Sequence, residues 1–306
     1  MARIFTIVED LCISNLERFR LGQQSNFAHT TTFTELLRKE FTRMTHSRLK
    51  HVIFKYLPTV VSVILFFTLW QLACMYYKLS ENLIPSPLAI ADATNDTWPT
   101  LIPATIVTSQ ETVIGFLLAI FLGILLGVGF HVCKPLHSAL FPLLCAAQTL
   151  PLISIAPIFL IWFGFEISGK IIIVMIFSLF PIAVQTIRGL EAVPTFYSDV
   201  ALTCGAGRVW TLWHVKLRVA ARQIFGGIKI SAAYAFGLAS TSEYLGAKDG
   251  LGIWLQFAYN SYRTPLIFSA TFVIIILTTL LMCAVNLTER ILLGPAEDEE
   301  DPDNQL

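Results

Sequence analysis

Charge is what this sequence has least of. Only 14% of its 306 residues are Asp, Glu, Lys or Arg, against about 25% in an ordinary soluble domain. Cysteine is sparse as well: the six, Cys12, Cys74, Cys133, Cys145, Cys204 and Cys283, are scattered with no C-x-x-C spacing, which excludes a disulfide framework or thiolate metal site. There is no nucleophile elbow, no H-E-x-x-H and no His/Cys cluster at ligand spacing. Nothing points to catalysis by this chain, and no cofactor or metal is expected in it. A cleavable leader is not expected either, because the first 55 residues are polar and the first apolar block comes too late and runs too long. Net charge is zero, and no nucleic-acid partner is indicated.

What the chain does have is apolar length. Hydrophobic residues make up 55% and the mean hydropathy is +0.67. They fall in separate blocks of about twenty residues, each long enough to cross a hydrocarbon core of roughly 30 Å as a helix. The fold class expected is therefore all-α: a polytopic membrane protein of six transmembrane helices. The spans are placed at about 57–77, 113–130, 140–163, 171–187, 224–244 and 265–285. Trp70, Tyr76 and Tyr77 suit an interfacial belt on the first. "GILLG" (Gly123 to Gly127) allows close backbone approach on the second. Pro151 and Pro157 interrupt the third, so a kink or broken helix is expected there.

Residues 1–55 read as a cytosolic arm with one or two amphipathic helices, 56–290 as the membrane domain, and 291–306 as an acidic cytosolic tail. With six spans and the N-terminus inside, sixteen Lys and Arg fall on the cytosolic side and four (Lys78, Lys170, Lys248, Arg263) on the other, with Lys229 inside the fifth span. That satisfies the positive-inside rule and gives an inner-membrane, multi-pass chain with both termini cytoplasmic. It also makes the loop at 189–222 cytosolic.

That loop is "PTFYSDVALTCGAGRVWTLWHVKL". A short helix is expected after Pro194, ended by Gly205, where positive φ lets the chain reverse. A second short amphipathic helix follows, with Val209, Leu212 and Trp213 on one face. Such a pair must bury its apolar face against headgroups or another protein. One decoy lies elsewhere: "GFEISGKI" (Gly164 to Ile171) fits a phosphate-binding loop up to its lysine but ends in isoleucine and follows no strand.

The loop resembles the coupling loop of permease subunits of binding-protein-dependent ABC importers, whose pattern is E-A-A-x-x-x-G, nine residues, then I-x-L-P. Asp199 stands for the Glu, Val200 and Ala201 for the alanines, Gly205 for the Gly, followed by Ala206; Val215 and Leu217 stand for I-x-L, and Arg218 replaces the proline. "NLIPSPLAIADA", "LPLISIAPIFLIWFGFEISGK" and "SEYLGAKDGLGIWLQFAYNSYRTPLIFSA" resemble the nitrate, sulfonate, taurine and bicarbonate branch, with permeases for pyrimidine precursors of thiamine close by. The resemblance implies a type I importer (MetI-like) bundle and a homodimer of permeases. It further implies an ABC ATPase subunit that binds ATP and Mg, an extracytoplasmic solute-binding protein, and membrane lipid as surroundings. The solute expected is of the sulfonate, taurine or nitrate class, with a pyrimidine or other heterocycle as the alternative. A secondary transporter or channel is the reading from another class, and would need repeated halves.

Polar residues in spans favour cavity-facing positions, so candidates for the translocation path are Gln148, Thr149, Ser231, Tyr234, Ser240, Thr241, Ser242 and Glu243. Glu243 is read as the only carboxylate near a span end: a vestibule residue, an interfacial ion pair or a helix-end anchor. Cations inside the spans appear almost absent, and Lys170 is assigned to an outer loop.

Overall fold

The computed structural model describes residues 57–78 and 80–294. The expectations for the N-terminal arm and for the acidic tail lie outside the described residues. Of these, residues 57–69 fall in one compact unit and those from Trp70 in another. The first apolar block is a helix, α1 (Leu57–Tyr76), which runs from one unit into the other. Every other element below lies in the second unit.

That unit is all helix among the described residues. Ser86 starts α2 (Pro87–Asp96): its Oγ accepts from the Ala89 N–H at 3.2 Å and Pro87 follows at the first position, where a missing N–H costs nothing. After Thr97 comes α3 (Trp98–Val132). Its 35 residues rise about 52 Å at about 1.5 Å each, so the second span expected at 113–130 is only its later part. Upstream, Leu101 and Ala104 pack with Leu251, and this burial holds as helix a stretch whose prolines suggest a loop. The third block is broken as expected: α4 (Lys134–Ala147) and α5 (Leu152–Phe163) meet at 108°. Pro151 caps α5 at the break, whereas Pro157 sits inside α5 without interrupting it.

Next come α6 (Ile167–Glu191), the short α7 (Thr195–Thr203) and α8 (Arg208–Thr211), then α9 (Leu217–Gly246), α10 (Leu251–Asn260) and α11 (Thr264–Leu293). Among the described residues four helices, α1, α3, α6 and α11, are long and apolar enough to cross a membrane, and the bent pair makes five if taken as one span. At 30 residues, or about 45 Å, α9 has the length. Its hydropathy is lowered by Arg218, Arg222, Lys229, Glu243 and a run of serines and small residues.

The bundle is organised around α6, packed between α3 and α9. Glycines set the spacing. A Cβ on Gly127 would lie 2.6 Å from Thr186 Cβ, on Gly123 2.9 Å from an Ile182 methyl, and on Gly115 2.8 Å from the Ile171 carbonyl. The G-x-x-x-G segment thus packs α3 on α6 within one chain. On the other side, Gly227 of α9 rests on the Pro181 carbonyl and Gln185. Phe116, Ile182, Leu190, Ile224 and Ile228 fill the core between. We expect Gly127→Val to lower the melting temperature in detergent, with overpacking of about 1–3 kcal/mol. Gly129→Val on the same helix, where a Cβ meets nothing within 4 Å, should change it little.

Candidate functional site

Two places stand out, one at each end of α9. The first is the loop before it. Pro194 caps α7, which ends at Cys204. Gly205 has φ +86°, and there the Ala206 N–H donates to the Ala201 carbonyl while the Gly205 N–H donates to that of Leu202, both at 3.0 Å. This is a Schellman ending, which L-side chains fit poorly. The Thr203 hydroxyl donates to the Asp199 carbonyl, and the Asp199 side chain is exposed.

The return leg departs from expectation. Arg208 opens α8, but after Thr211 the ladder widens into one π-helical turn, Leu212–Lys216, and continues into α9 without a break. A proline at 218 would lack the N–H that a helix interior needs. Arg218 keeps it, so the second helix, α8, runs through the π turn into α9 instead of standing as a separate piece. Trp210 stacks on His214 at 4.5 Å, whose Nδ1 lies 3.1 Å from the Trp210 carbonyl. Lys216 Nζ reaches His131 Nε2 at the end of α3, 3.4 Å away.

Between the two legs lies a cavity of about 620 Å³ whose wall includes Tyr197, Val200, Ala201, Gly205, Ala206 and Val215. The hairpin leaves Phe196, Val200, Leu202, Val209, Trp210 and Trp213 exposed, Val209 at 72%. Leu217 lies past the cavity and is half-buried. An apolar surface of this kind on a polar loop calls for a partner.

The second place is a buried charge cluster that sequence reasoning missed in part. Glu243, at the far end of α9, is fully buried. Its Oε1 accepts from the Thr108 hydroxyl at 2.7 Å and its Oε2 from the Gly252 N–H at 2.7 Å; Thr108 Oγ1 in turn accepts from the Leu251 N–H at 2.8 Å. Gly250 has no side chain to cap α10, so Thr108 and Glu243 do it from two other helices, with the carboxylate at the positive end of α10. The turn is shaped to the carboxylate: a Cβ on Gly250 would lie 2.3 Å from it. Glu243 is therefore a helix-end anchor, and the helix it anchors is α10.

Beside it, Glu111 is fully buried and Lys170 is 2% exposed, with Lys170 Nζ 3.6 Å from Glu111 Oε1. Two expectations are corrected here. Lys170 does not sit in an outer loop; it lies in the first turn of α6 and is buried. Nor is Glu243 alone: Glu111, two residues before the second span, is the other buried carboxylate among the described residues. The lysine of the phosphate-loop lookalike is thus engaged by an acid inside the protein. The Glu166 side chain stays outside and meets Lys248 at 3.0 Å, and that ammonium holds its carboxyl below the usual range.

The other path candidates are dispersed. Ser231 donates to the Ser178 carbonyl at 2.7 Å and Ser242 to that of Ala239 at 2.8 Å, both buried; Ser240 is buried and Tyr234 half-buried. Thr241 is bonded to the Gly237 carbonyl on an outer face of α9. Gln148 and Thr149 are exposed at the break between α4 and α5. Helix packing accounts for the buried serines.

Lys170→Met would leave the Glu111 carboxyl buried without the ammonium 3.6 Å from it. We expect a loss of about 3–5 kcal/mol, read as a fall in melting temperature in detergent. The pair Glu111→Leu with Lys170→Met should recover most of it.

Comparison with known proteins agrees with this architecture. Over 240 residues, covering 77% of this chain and 94% of the relative, it is 31% identical to the formylaminopyrimidine transport permease protein ThiX of Halalkalibacterium halodurans. Over 270 residues, covering 86% of this chain and 93% of the relative, it is 26% identical to the putative aliphatic sulfonates transport permease protein SsuC of Bacillus subtilis. An inward-facing structure of the MetNI methionine ABC transporter shares the fold, with a TM-score of 0.56 over 64% of this chain and 98% of that one, at 18% identity. The family profile described as "Binding-protein-dependent transport system inner membrane component" matches residues 119–293, which take in the hairpin, α9 and the core around α6. The chain belongs to that family of inner-membrane permease components of ABC importers.

Proposed function

We propose that this permease works as a homodimer whose hairpin, from Pro194 to His214, seats in a groove on an ABC ATPase subunit that carries the ATP and Mg. Asp199, Val200, Ala201, Gly205, Ala206, Val215 and Leu217 are the coupling residues in this reading. Supporting it above all is the exposed apolar and aromatic surface on the Gly205 hairpin, on a leg continuous with α9. In this scheme ATP-driven closure of the two ATPases moves the hairpins, and the bundle rocks as a rigid body to face outward. An extracytoplasmic binding protein delivers the solute there.

The orientation that goes with it has both termini in the cytoplasm and α9 as a crossing helix, six in all. The distribution of Lys and Arg supports this. Burial of the polar side chains of α9 offsets its low hydropathy.

For the solute we favour a pyrimidine-type heterocycle over a sulfonate or nitrate. The 31% identity to a formylaminopyrimidine permease supports this, as does the engagement of Lys170 by Glu111, which removes that cation from service to an anion. Identification of the ligand held by the cognate binding protein decides it: a sulfonate or nitrate would reverse the preference.

Gly205→Val places a β-branched residue at positive φ, a strain of about 1–3 kcal/mol. We expect normal membrane insertion and loss of ATP-coupled uptake in proteoliposomes; undiminished uptake sinks the coupling assignment. Cys204 lines the hairpin cavity and is exposed, so its labelling by a membrane-impermeant maleimide reports both site and side. Protection by the ATPase subunit, and labelling only from the cytoplasmic face, are the expected results.

A further inference from the structure

A second groove on α9 shares only Leu217 with the coupling residues. It lies between α3 and α11 with α9 as its floor, encloses about 520 Å³, and is lined by apolar side chains such as Ile120, Ile124, Ala221, Ile228, Leu281 and Leu292. Along α9 the lining runs from Leu217 to Ile228 and along α11 from Leu281 to Leu292, about 16 Å in each case at about 1.5 Å per residue. That is the depth of one leaflet of a hydrocarbon core of about 30 Å. The groove's length and apolar lining suit a lipid acyl chain.

The chemistry of the rim is uneven. Lys229, flanking the inner end, is matched by Glu289 at 2.5 Å. At the open end, Arg218 follows the lining residue Leu217 and is exposed. The groove therefore combines an apolar slot of leaflet depth with positive charge where a headgroup would lie. Basic groups between membrane helices on the cytoplasmic side favour anionic lipid.

We propose that this groove holds one acyl chain of an anionic phospholipid of the inner leaflet, with Arg218 meeting its phosphate. The arginine in place of the family's proline then has two effects: it lets α9 continue unbroken and it gives the lipid a cation. Assignment of the lipid to the inner leaflet rests on the orientation proposed above; the seat itself does not.

The test uses the full chain in mild detergent, stripped of lipid and offered phosphatidylglycerol or phosphatidylcholine with the same acyl chains, with retained lipid counted by native mass spectrometry. We expect one phosphatidylglycerol per chain, retained at least about fivefold better than phosphatidylcholine, as one basic contact predicts. Ala221→Trp, which fills the floor, should remove both lipids, and Ala284→Phe on the opposite wall should do the same if the first variant folds poorly. Arg218→Glu should keep the acyl seat and lose the preference. Equal retention of the two lipids by the unmodified chain overturns the proposal, as does unchanged retention when either wall is filled. Removal of residues 295–306 should leave the count unchanged; a gain would make the acidic tail the occupant and overturn it as well. Lipid counts do not depend on sidedness, so their failure is separable from a failure of the Cys204 labelling.

Discussion

Backbone-to-backbone approach of α6 to both its neighbours is the constraint on which the bundle depends. Between helices in lipid there is little hydrophobic drive, so association relies on close packing and on polar contacts. Gly115, Gly123 and Gly127 bring α3 against Ile171, Ile182 and Thr186, and Gly189 and Gly227 bring α9 against α6 from the other side. Thr186 fills the space at Gly127 with its methyl and turns its hydroxyl back to the Ile182 carbonyl at 2.7 Å. Contacts this close leave no room for water between the three helices. Any polar group caught there has to find its partner within the protein.

The charge cluster follows from that exclusion. Glu111, Lys170 and Glu243 come from α3, α6 and α9, the three helices that pack without a gap, and Glu243 reaches a fourth through the first turn of α10. Such a cluster is a poor source of stability compared with an apolar core of the same volume. Its value lies in register. The Thr108 hydroxyl, the Gly252 N–H and the Glu243 carboxylate fit only when α3, α9 and α10 stand at one height relative to one another. The ends of α6, α9 and α10 are thereby fixed to the body of α3 at the side away from the hairpin, which is where the rigid-body motion proposed above would need the bundle held together.

How much of this was legible in the sequence depends on the range over which each feature is decided. The hairpin is a local matter: Pro194 starts α7, Gly205 takes the positive φ that ends it, and both could be read directly. So could the break at Pro151, which falls in an otherwise uniform apolar block. The upstream part of α3 could not, since Pro99, Pro103 and the polar run before them signal a turn, and burial of Leu101 against Leu251, 150 positions away, decides otherwise. Glu111 and Lys170 were visible as single charges flanking apolar blocks. Their pairing was not, because it joins different helices with no periodicity linking the two positions. Glu243 was half legible: its role as an anchor was among the readings, but the anchored helix lies beyond a glycine turn whose geometry the sequence alone does not reveal.

Arg218 shows how one departure from a family pattern propagates. With a proline there, the helix would be interrupted at the membrane surface at a cost of about 3 kcal/mol for keeping it straight, and hairpin and span would meet at a joint. With arginine, helix runs from Arg208 through the π turn to Gly246, about 57 Å of continuous rise. Glu243 sits in its last turn and Gly205 lies just before its first. In the proposed coupling, displacement of the hairpin reaches the buried cluster along a single strut. What compliance there is falls in the Leu212–Lys216 turn, where the wider ladder relaxes the helix and where Lys216 touches the end of α3. The joint that the proline would have made has moved one turn toward the hairpin, from a break in the helix to a widening of it.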